Sequence, residues 1–594
     1  MFILTLVACT GGTVSATGPT PRVDLAGDFW DAPWPSDTRR APGGGLSMEG
    51  FPGADEYPLV DLYAQVIENT VDGASTSGPV FFAFDGEIDT DALPTPRGAL
   101  YPEATVFLVD IDTTSPERGR RFPLQFDWQP TSTTYQASNH LAVAPLPGTP
   151  LRGATTYAMV VTTDLAQPVM SEVFVPGHPE YDDWLPLAEV LFEEGLTTDV
   201  VAVASRFTTQ DPVTETETIA RSILSERFSI QDLDQELVFV DDGIFHDRWE
   251  GSLWVPLWQH GERPYAEEGG GFRVEEGHPI LAGWEHIRFT LSVPAQEAMP
   301  AEGWPVVLYA HGTTGDWKSC CTEGSGMGQA ARAAQAGAVM IGFSQPLHGD
   351  RATENTNPEF HTFNYFNPES ARANFRQGAL DIVYLAKVLS GRQHTFDLDG
   401  DTLVTNPDMT LFMGHSQGGI TGAIALPFLT REHIKGAVLS GAGGGLALSM
   451  VYRKQGGLDI ESLITGALQF QSDEVLDELH PVAAMVQTAG EITDSHNYSP
   501  YWHLRRGTGG GPIPILMFEG LLDEHTPPIT SEALAASGGV PLLQPTSAVS
   551  DAARVLGLDD QPTPALDNIT GWDDAPLTAG MAQYPDQNHF AIHN

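Results

Sequence analysis

The chain has 594 residues, with 29 Lys plus Arg against 78 Asp plus Glu and a formal net charge of −49 with histidine neutral. Neutralising phosphates requires a basic face, so this balance excludes a nucleic-acid binder working by bulk electrostatics and disfavours a polybasic membrane-surface protein. Hydrophobic residues at 41% and aromatics at 9% suffice to build cores, and at about 100–200 residues per domain the length implies several domains.

Met1 to Cys9 is apolar and is followed by a Gly/Thr/Ser/Pro-rich stretch to Thr20. It is far shorter than the about 20 apolar residues of a membrane span. Leu6-Val7-Ala8-Cys9 has the form of a bacterial lipobox, in which a signal peptidase cuts before a Cys that carries lipid. Lipidation of Cys9 is therefore expected, with the protein exported and either anchored at the bacterial outer membrane or cell surface or secreted. The stretch before Cys9 has no Lys or Arg and falls short of the roughly 15–30 residues of an export signal, which points to a start upstream. The other cysteines, Cys320 and Cys321, fit neither a disulfide framework nor a zinc spacing. A bridge between neighbours strains the intervening peptide, so two free thiols are expected, with a vicinal bridge as the alternative.

From Pro79 to about Pro212, short alternating runs are separated by turn residues: Val80–Phe84, Thr105–Val109, Phe122–Phe126, Leu141–Ala144 and Thr156–Val161. This spacing predicts an antiparallel β-sandwich. The order of Phe84-Asp85-Gly86, Leu146-Pro147-Gly148-Thr149-Pro150-Leu151, Thr156-Tyr157 and Phe207-Thr208-Thr209 resembles bacterial Ig-like domains of surface-layer and exported proteins. That resemblance implies an all-β Ig-like sandwich over about 76–212, inside a β-rich region 21–235 that follows a signal remnant and linker at 1–20. Helices are expected at Tyr181–Leu196 and Thr214–Phe228. Residues 236–285, with Trp249, Trp254, Trp258 and the run Glu267 to Gly271, read as a β-rich connector.

After His286 strands alternate with helices. Strands are expected at Ile287–Val293, Val306–Ala310, Ala338–Phe343, Met409–Met413, Ala437–Leu439 and Ile515–Phe518, and helices at Gly328–Ala336, Ala371–Leu389 and Gly418–Leu429. Several strands are unbroken apolar runs, as when helices cover both sheet faces, so 286–594 is expected to be a doubly wound, mostly parallel α/β sheet.

Gly414-His415-Ser416-Gln417-Gly418 lies between the apolar run Leu411–Met413 and a helical stretch. It fits G-x-S-x-G in a strand, turn and helix context, where glycines allow a strained turn that lifts the Ser416 hydroxyl above the sheet. Gly520-Leu521-Leu522-Asp523-Glu524-His525-Thr526-Pro527 follows a late strand and offers Asp523 as the acid, with Glu519 and Glu524 as alternatives. Asn588-His589-Phe590 offers His589 as general base, with His593 as runner-up and His525 beside the acid. The order Ser416, Asp523, His589 is that of α/β-hydrolases. His311-Gly312 after the strand Val306–Ala310 places the backbone N–H of Thr313 opposite that of Gln417, an oxyanion hole.

The combination of His311-Gly312, Gln345-Pro346-Leu347-His348-Gly349, Asn374-Phe375-Arg376-Gln377 and Gly414 to Gly418 resembles exported bacterial lipases and esterases. It is similar in particular to the virulence-factor lipase group, surface lipoproteins acting on lysophospholipids. Pro33-Trp34-Pro35-Ser36-Asp37 and Gly73-Ala74-Ser75-Thr76-Ser77 echo the N-terminal part of that group. The resemblance implies an α/β-hydrolase fold and a serine esterase or lipase that needs no cofactor or metal, meets an ester or lipid substrate and binds a membrane through its anchor. It departs at Cys320-Cys321 and in ending five residues after His589, where related folds add a helix.

Residues 441–511 have the place and apolar content of a cap. Asp397, Asp399, Asp401 and Asp408 have the spacing of a calcium loop, but Thr402 stands where glycine is needed and no bidentate Glu follows, so an acidic turn is expected. Two rival functions are a prolyl-oligopeptidase-like peptidase, which the missing blade repeat disfavours, and a surface adhesin with a non-catalytic hydrolase scaffold. The composition change near residue 286 leads to the expectation that catalysis resides in a part beginning near Phe272.

Overall fold

The computed structural model describes residues 18–321, 328–454 and 460–590. Cys9 and His593 lie outside the described residues, as does the start of the expected signal remnant. The chain divides into two compact units, one of Met1–Ser36, Val80–Val143 and Thr156–Phe207, the other of Asp37–Pro79, Ala144–Thr155 and Thr208–Asn594.

In the first unit the alternating runs form strands close to their expected positions. One sheet has the order Val80–Ala83, His140–Pro145, Leu124–Gln129, and another Arg121–Phe122, Val106–Asp110, Thr156–Thr162, Val201–Thr208. Phe107, Val109, Ala158 and Val160 point to one face of the second sheet, where Trp184, Leu187, Val190 and Leu191 of the helix Tyr181–Glu193 cover them. The intervening Leu108, Tyr157 and Met159 are buried as well, so both faces of these strands are dry.

The second unit is built on a ten-stranded sheet. From one edge it runs Ala579–Tyr584, Ile515–Gly520, Ala437–Ser440, Asp401–His415, Trp304–Ala310, Val339–Phe343, Gly283–Pro294, His246–Leu257, Val238–Asp241, with Thr395–Leu398 paired to Asp401–His415. The strands from Ala579–Tyr584 to Val339–Phe343 pair in parallel, and those from Val339–Phe343 to Val238–Asp241 pair antiparallel. The result is a doubly wound mixed sheet consistent with the α/β-hydrolase fold. Helices Pro368–Gly391 and Gln417–Ala425 bury Leu380, Val383, Ile424 and neighbours against Leu308, Phe343 and Phe412 on one face. Tyr309, Met340, Cys320, Cys321 and Ala330 of helix Gln329–Gln335 form a smaller cluster.

Three local findings differ from the sequence expectations. The segment 236–285 is not a connector ahead of the sheet: His246–Leu257 pairs with Gly283–Pro294 over its whole length and belongs to the same sheet as the later strands. Segments Asp37–Pro79 and Ala144–Thr155, expected in the N-terminal region, pack in the second unit, where the helix Pro58–Asn69 lies against Pro481–Gly490. Cys320 and Cys321, expected as thiols, are joined in a disulfide. Both sulfurs are enclosed, and a Cβ at Gly342 would come within 2.8 Å of Cys320 Sγ, so glycine makes room for the pair.

Asp399 and Gly400 have positive φ and form the turn of an antiparallel hairpin in which Leu398 faces Asp401 and Asp397 faces Thr402. Asp397 Oδ1 accepts the Gly400 N–H at 2.7 Å, an Asp-Gly turn closed by its own side chain. No described helix is long and apolar enough to cross a membrane.

Candidate active site

Ser416 sits between the strand Asp401–His415 and the helix Gln417–Ala425 with φ 52° and ψ −121°. A non-glycine residue in this region costs about 1–3 kcal/mol, and the surrounding backbone holds it there. The Ser416 N–H donates to Ser440 O at 2.8 Å. A Cβ on Gly414 would lie 2.3 Å from Gly418 O, and one on Gly418 would lie 2.0 Å from Ala310 O. The two motif glycines are thus required because strand, turn and helix backbones touch at this point.

Asp523 lies just past the strand Ile515–Gly520. Its Oδ1 accepts the backbone N–H groups of His525 and Thr526, both at 2.8 Å, and its Oδ2 accepts Nδ1–H of His589 at 2.6 Å. The two backbone bonds fix the carboxylate, which in turn fixes the tautomer that leaves His589 Nε2 free to take a proton. His415 lies with its ring centroid 4.7 Å from that of His589 on one side, and His525 lies at 5.0 Å on another. Gly441 follows Ser440, and a Cβ there would meet the His589 ring at 3.1 Å. Among the described residues a hydrogen bond joins His589 to Asp523 and none joins it to the Ser416 hydroxyl.

Thr313 and Gln417 face each other beside Ser416, with Thr313 Oγ1 donating to Gln417 Oε1 at 3.0 Å. Gln417 is the first residue of its helix, where the N–H has no intrahelical partner. Gly312 must lack a side chain because a Cβ would come 3.0 Å from Ser416 Cβ. Ser416, Thr313, Gln417 and His525 line a cavity of about 50 Å³ that is walled by Phe363, Phe375 and Leu446. Gly443, Ser449, Arg453 and Thr493, from the segment expected to form a cap, also line it.

Sequence reasoning picked out Gln345 only as part of a motif, and the structure gives it a task. Its backbone N–H donates to His311 Nε2 at 3.0 Å, its Nε2 donates to His311 O, and its Oε1 accepts from Thr421 Oγ1 at 2.9 Å. It thereby ties the loop at His311 to the helix that follows Ser416. His311 Nδ1 donates to Gly312 O at 2.7 Å. Burial, with His348 beside it, pushes the His311 imidazole down to about 3, so it stays neutral and acts as a brace. Of the alternative acids, Glu519 is buried and accepts from Gln583 Nε2 at 2.8 Å, away from His589. Glu524 is exposed.

No family model and no curated protein matches the chain. Solved structures that align with it include the acetyl xylan esterase 1 of Thermoanaerobacterium sp. JW/SL YS485, at 14% identity over 63% of this chain and 88% of that one with a TM-score of 0.35. The acetyl xylan esterase of Paenibacillus sp. R4 aligns at 14% identity over 64% and 90% with a TM-score of 0.37. A puromycin-hydrolyzing peptidase of Mycobacterium tuberculosis aligns at 13% identity over 54% and 35% with a TM-score of 0.28. At such scores the alignments carry no weight beside the sheet order and the geometry at Ser416.

Proposed function

We propose that the protein is a serine hydrolase that cleaves carboxylic esters through an acyl-enzyme on Ser416. The observation that carries this reading is a strained Ser416 on the cavity edge whose chain neighbour His415 lies with its ring 4.7 Å from that of the buried, Asp523-bonded His589. Ser416 Oγ attacks the ester carbonyl while His589 Nε2 takes its proton, and the backbone N–H groups of Thr313 and Gln417 receive the developing oxyanion. The imidazolium, stabilised by Asp523, returns the proton to the departing alkoxide. Water then repeats the sequence on the acyl-enzyme and frees the acid. Ser416→Ala should abolish turnover of p-nitrophenyl butyrate and labelling by a fluorophosphonate. Full activity in that variant would sink the assignment.

Phe363, Phe375, Ile420 and Leu446 give the cavity one apolar side, opposite polar groups such as Ser449, Arg453 and Asp494, and that side supports an esterase or lipase of the lysophospholipase type over a peptidase. The strands of the first unit support an Ig-like sandwich whose role is to space the enzyme from a membrane or grip a surface. Export and a lipid anchor at Cys9 rest on Leu6-Val7-Ala8-Cys9. Metabolic labelling with an alkyne fatty acid should mark the full chain and be lost in Cys9→Ala. Labelling that survives the substitution would remove the anchor from the proposal.

A further inference from the structure

The space beside Ser416 has a second, more apolar part. Phe363, Tyr365, Phe375, Leu446 and Thr493 line the Ser416 cavity and also line a neighbouring chamber, of about 40 Å³ beside about 50 Å³. The far side of this chamber is formed by Ala371 and Arg372 of the helix Pro368–Gly391, by Val486 and Ala489 of the helix Pro481–Gly490, and by Tyr63 of the helix Pro58–Asn69. Tyr63 thus reaches the chamber from a segment far upstream of the sheet, within the same compact unit.

The walls are held in place by bonds that leave the interior apolar. The Tyr63 hydroxyl donates to Tyr365 O at 3.1 Å, which fixes its ring and the turn that carries Tyr365 at the same time. Arg372 Nη1 donates to Ala489 O, which directs the guanidinium to backbone. Asp494 accepts the N–H groups of Gly445 and Leu446, both at 2.9 Å, so the partition residue Leu446 has a fixed position. Tyr63 is only 4% exposed and closes the chamber at that end.

We propose that the two chambers are one acyl channel that starts at Ser416 and ends on the ring of Tyr63, so that the helix Pro58–Asn69 sets the chain length of the acid released. This rests on the reading of Ser416 as the nucleophile. At roughly 10–15 Å³ for each water-sized group, the two chambers together hold a chain of about six to nine carbons. The substrate class is an ester of a straight, medium-length fatty acid. A long-chain acid would run into Tyr63, and an acetyl group would leave the second chamber unfilled.

The test is a chain-length profile of kcat/KM with p-nitrophenyl acetate, butyrate, hexanoate, octanoate and laurate, on the full chain. The wild type should be fastest with hexanoate or octanoate and fall steeply with laurate. Tyr63→Ala should move the maximum toward laurate, and Ala489→Leu, which fills the chamber, should move it toward acetate and butyrate, at about tenfold per methylene. If Tyr63→Ala does not fold, Ala489→Leu still reads the opposite shift. A profile whose order is the same in the folded variants as in the wild type overturns the channel while leaving the serine-hydrolase reading intact. Absence of ester turnover together with absence of fluorophosphonate labelling in the wild type overturns both.

Discussion

The imidazole of His525 lies nearly parallel to that of His589, with planes 17° apart and centroids 5.0 Å apart. Burial, and after it the closeness of His589, holds the pKa of His525 below the usual histidine value, so a neutral ring lies against the proposed general base. A fixed cation at this place would oppose the imidazolium that the proposed reaction forms on His589. His525→Lys should therefore shift the acidic limb of the kcat/KM profile down by about one pH unit and lower the plateau about tenfold. A limb that stays in place would show that the two rings do not communicate.

Asp523→Asn tests the orientation of His589 separately from the fold. Asparagine retains a carbonyl oxygen to accept from His525 and Thr526, but its amide donates where the carboxylate accepted, and the wrong tautomer of His589 results. Ester hydrolysis should fall by about 10³–10⁴ in kcat while circular dichroism and the unfolding midpoint stay near wild type. A loss under tenfold would point to another acid.

Glu519 gives stability a dependence on pH. Burial, reinforced by Glu532 and eased by the bond from Gln583, pushes its carboxyl up to about 8, while the unfolded chain ionises near 4.5. The folded state therefore holds a proton that the unfolded state releases between these values, so its contribution is full below about 4.5 and is lost as pH rises through about 8. Glu519→Gln removes this loss. Urea unfolding should show the variant stabilised relative to wild type by roughly 1–3 kcal/mol near pH 9 and by nothing near pH 4. Equal differences at the two pH values would contradict a protonated Glu519.

Glu491 tests the segment Gly73 to Ser77. Its Oε1 accepts from Ser75 Oγ and from the Thr76 N–H, and its Oε2 accepts from Thr76 Oγ1 at 2.8 Å and from Asn497 Nδ2. Thr76→Val removes one of these donors at a fully buried site and should cost about 1–3 kcal/mol in denaturant unfolding. A chain beginning at Phe272 lacks Ser75 and Thr76 altogether and should be insoluble or fail to unfold cooperatively, in contrast to the expectation drawn from composition. Normal folding of that shortened chain would show the segment to be dispensable.

What was legible in the sequence was local. The glycines at 414 and 418 mark positions where backbones touch, and the strand, turn and helix around them follow one another in the chain. Asp523 was visible because it follows a late strand, and His589 because Asn588-His589-Phe590 comes third in the order Ser416, Asp523, His589. The strand Ala579–Tyr584 was missed because Ala-Gly-Met-Ala-Gln-Tyr is not a continuous apolar run, and its Gln583 serves Glu519 instead of the core. His246–Leu257 looked like a connector because Asp247, Arg248, Glu250 and Ser252 break up any apolar run and its buried positions follow no regular period. Gln345 and Tyr63 could not be assigned tasks, since the former acts on His311 and Thr421 and the latter on Tyr365, partners that only the folded chain brings near.

The interleaving of the two units constrains the order in which the chain can fold on a ribosome. All three segments of the first unit have been synthesised by Phe207, before any strand of the ten-stranded sheet exists. The intervening segments Asp37–Pro79 and Ala144–Thr155 belong to the other unit and must wait. Ser75 meets Glu491 across a separation of 416 residues, which at about 5–20 residues per second is a delay of tens of seconds. During that interval the apolar side of the helix Pro58–Asn69, with Val60, Tyr63 and Ile67, has no partner from the helix Pro481–Gly490. Nascent chains would therefore present a sticky amphipathic helix early and hide it late, which makes this helix a place for a chaperone to shield.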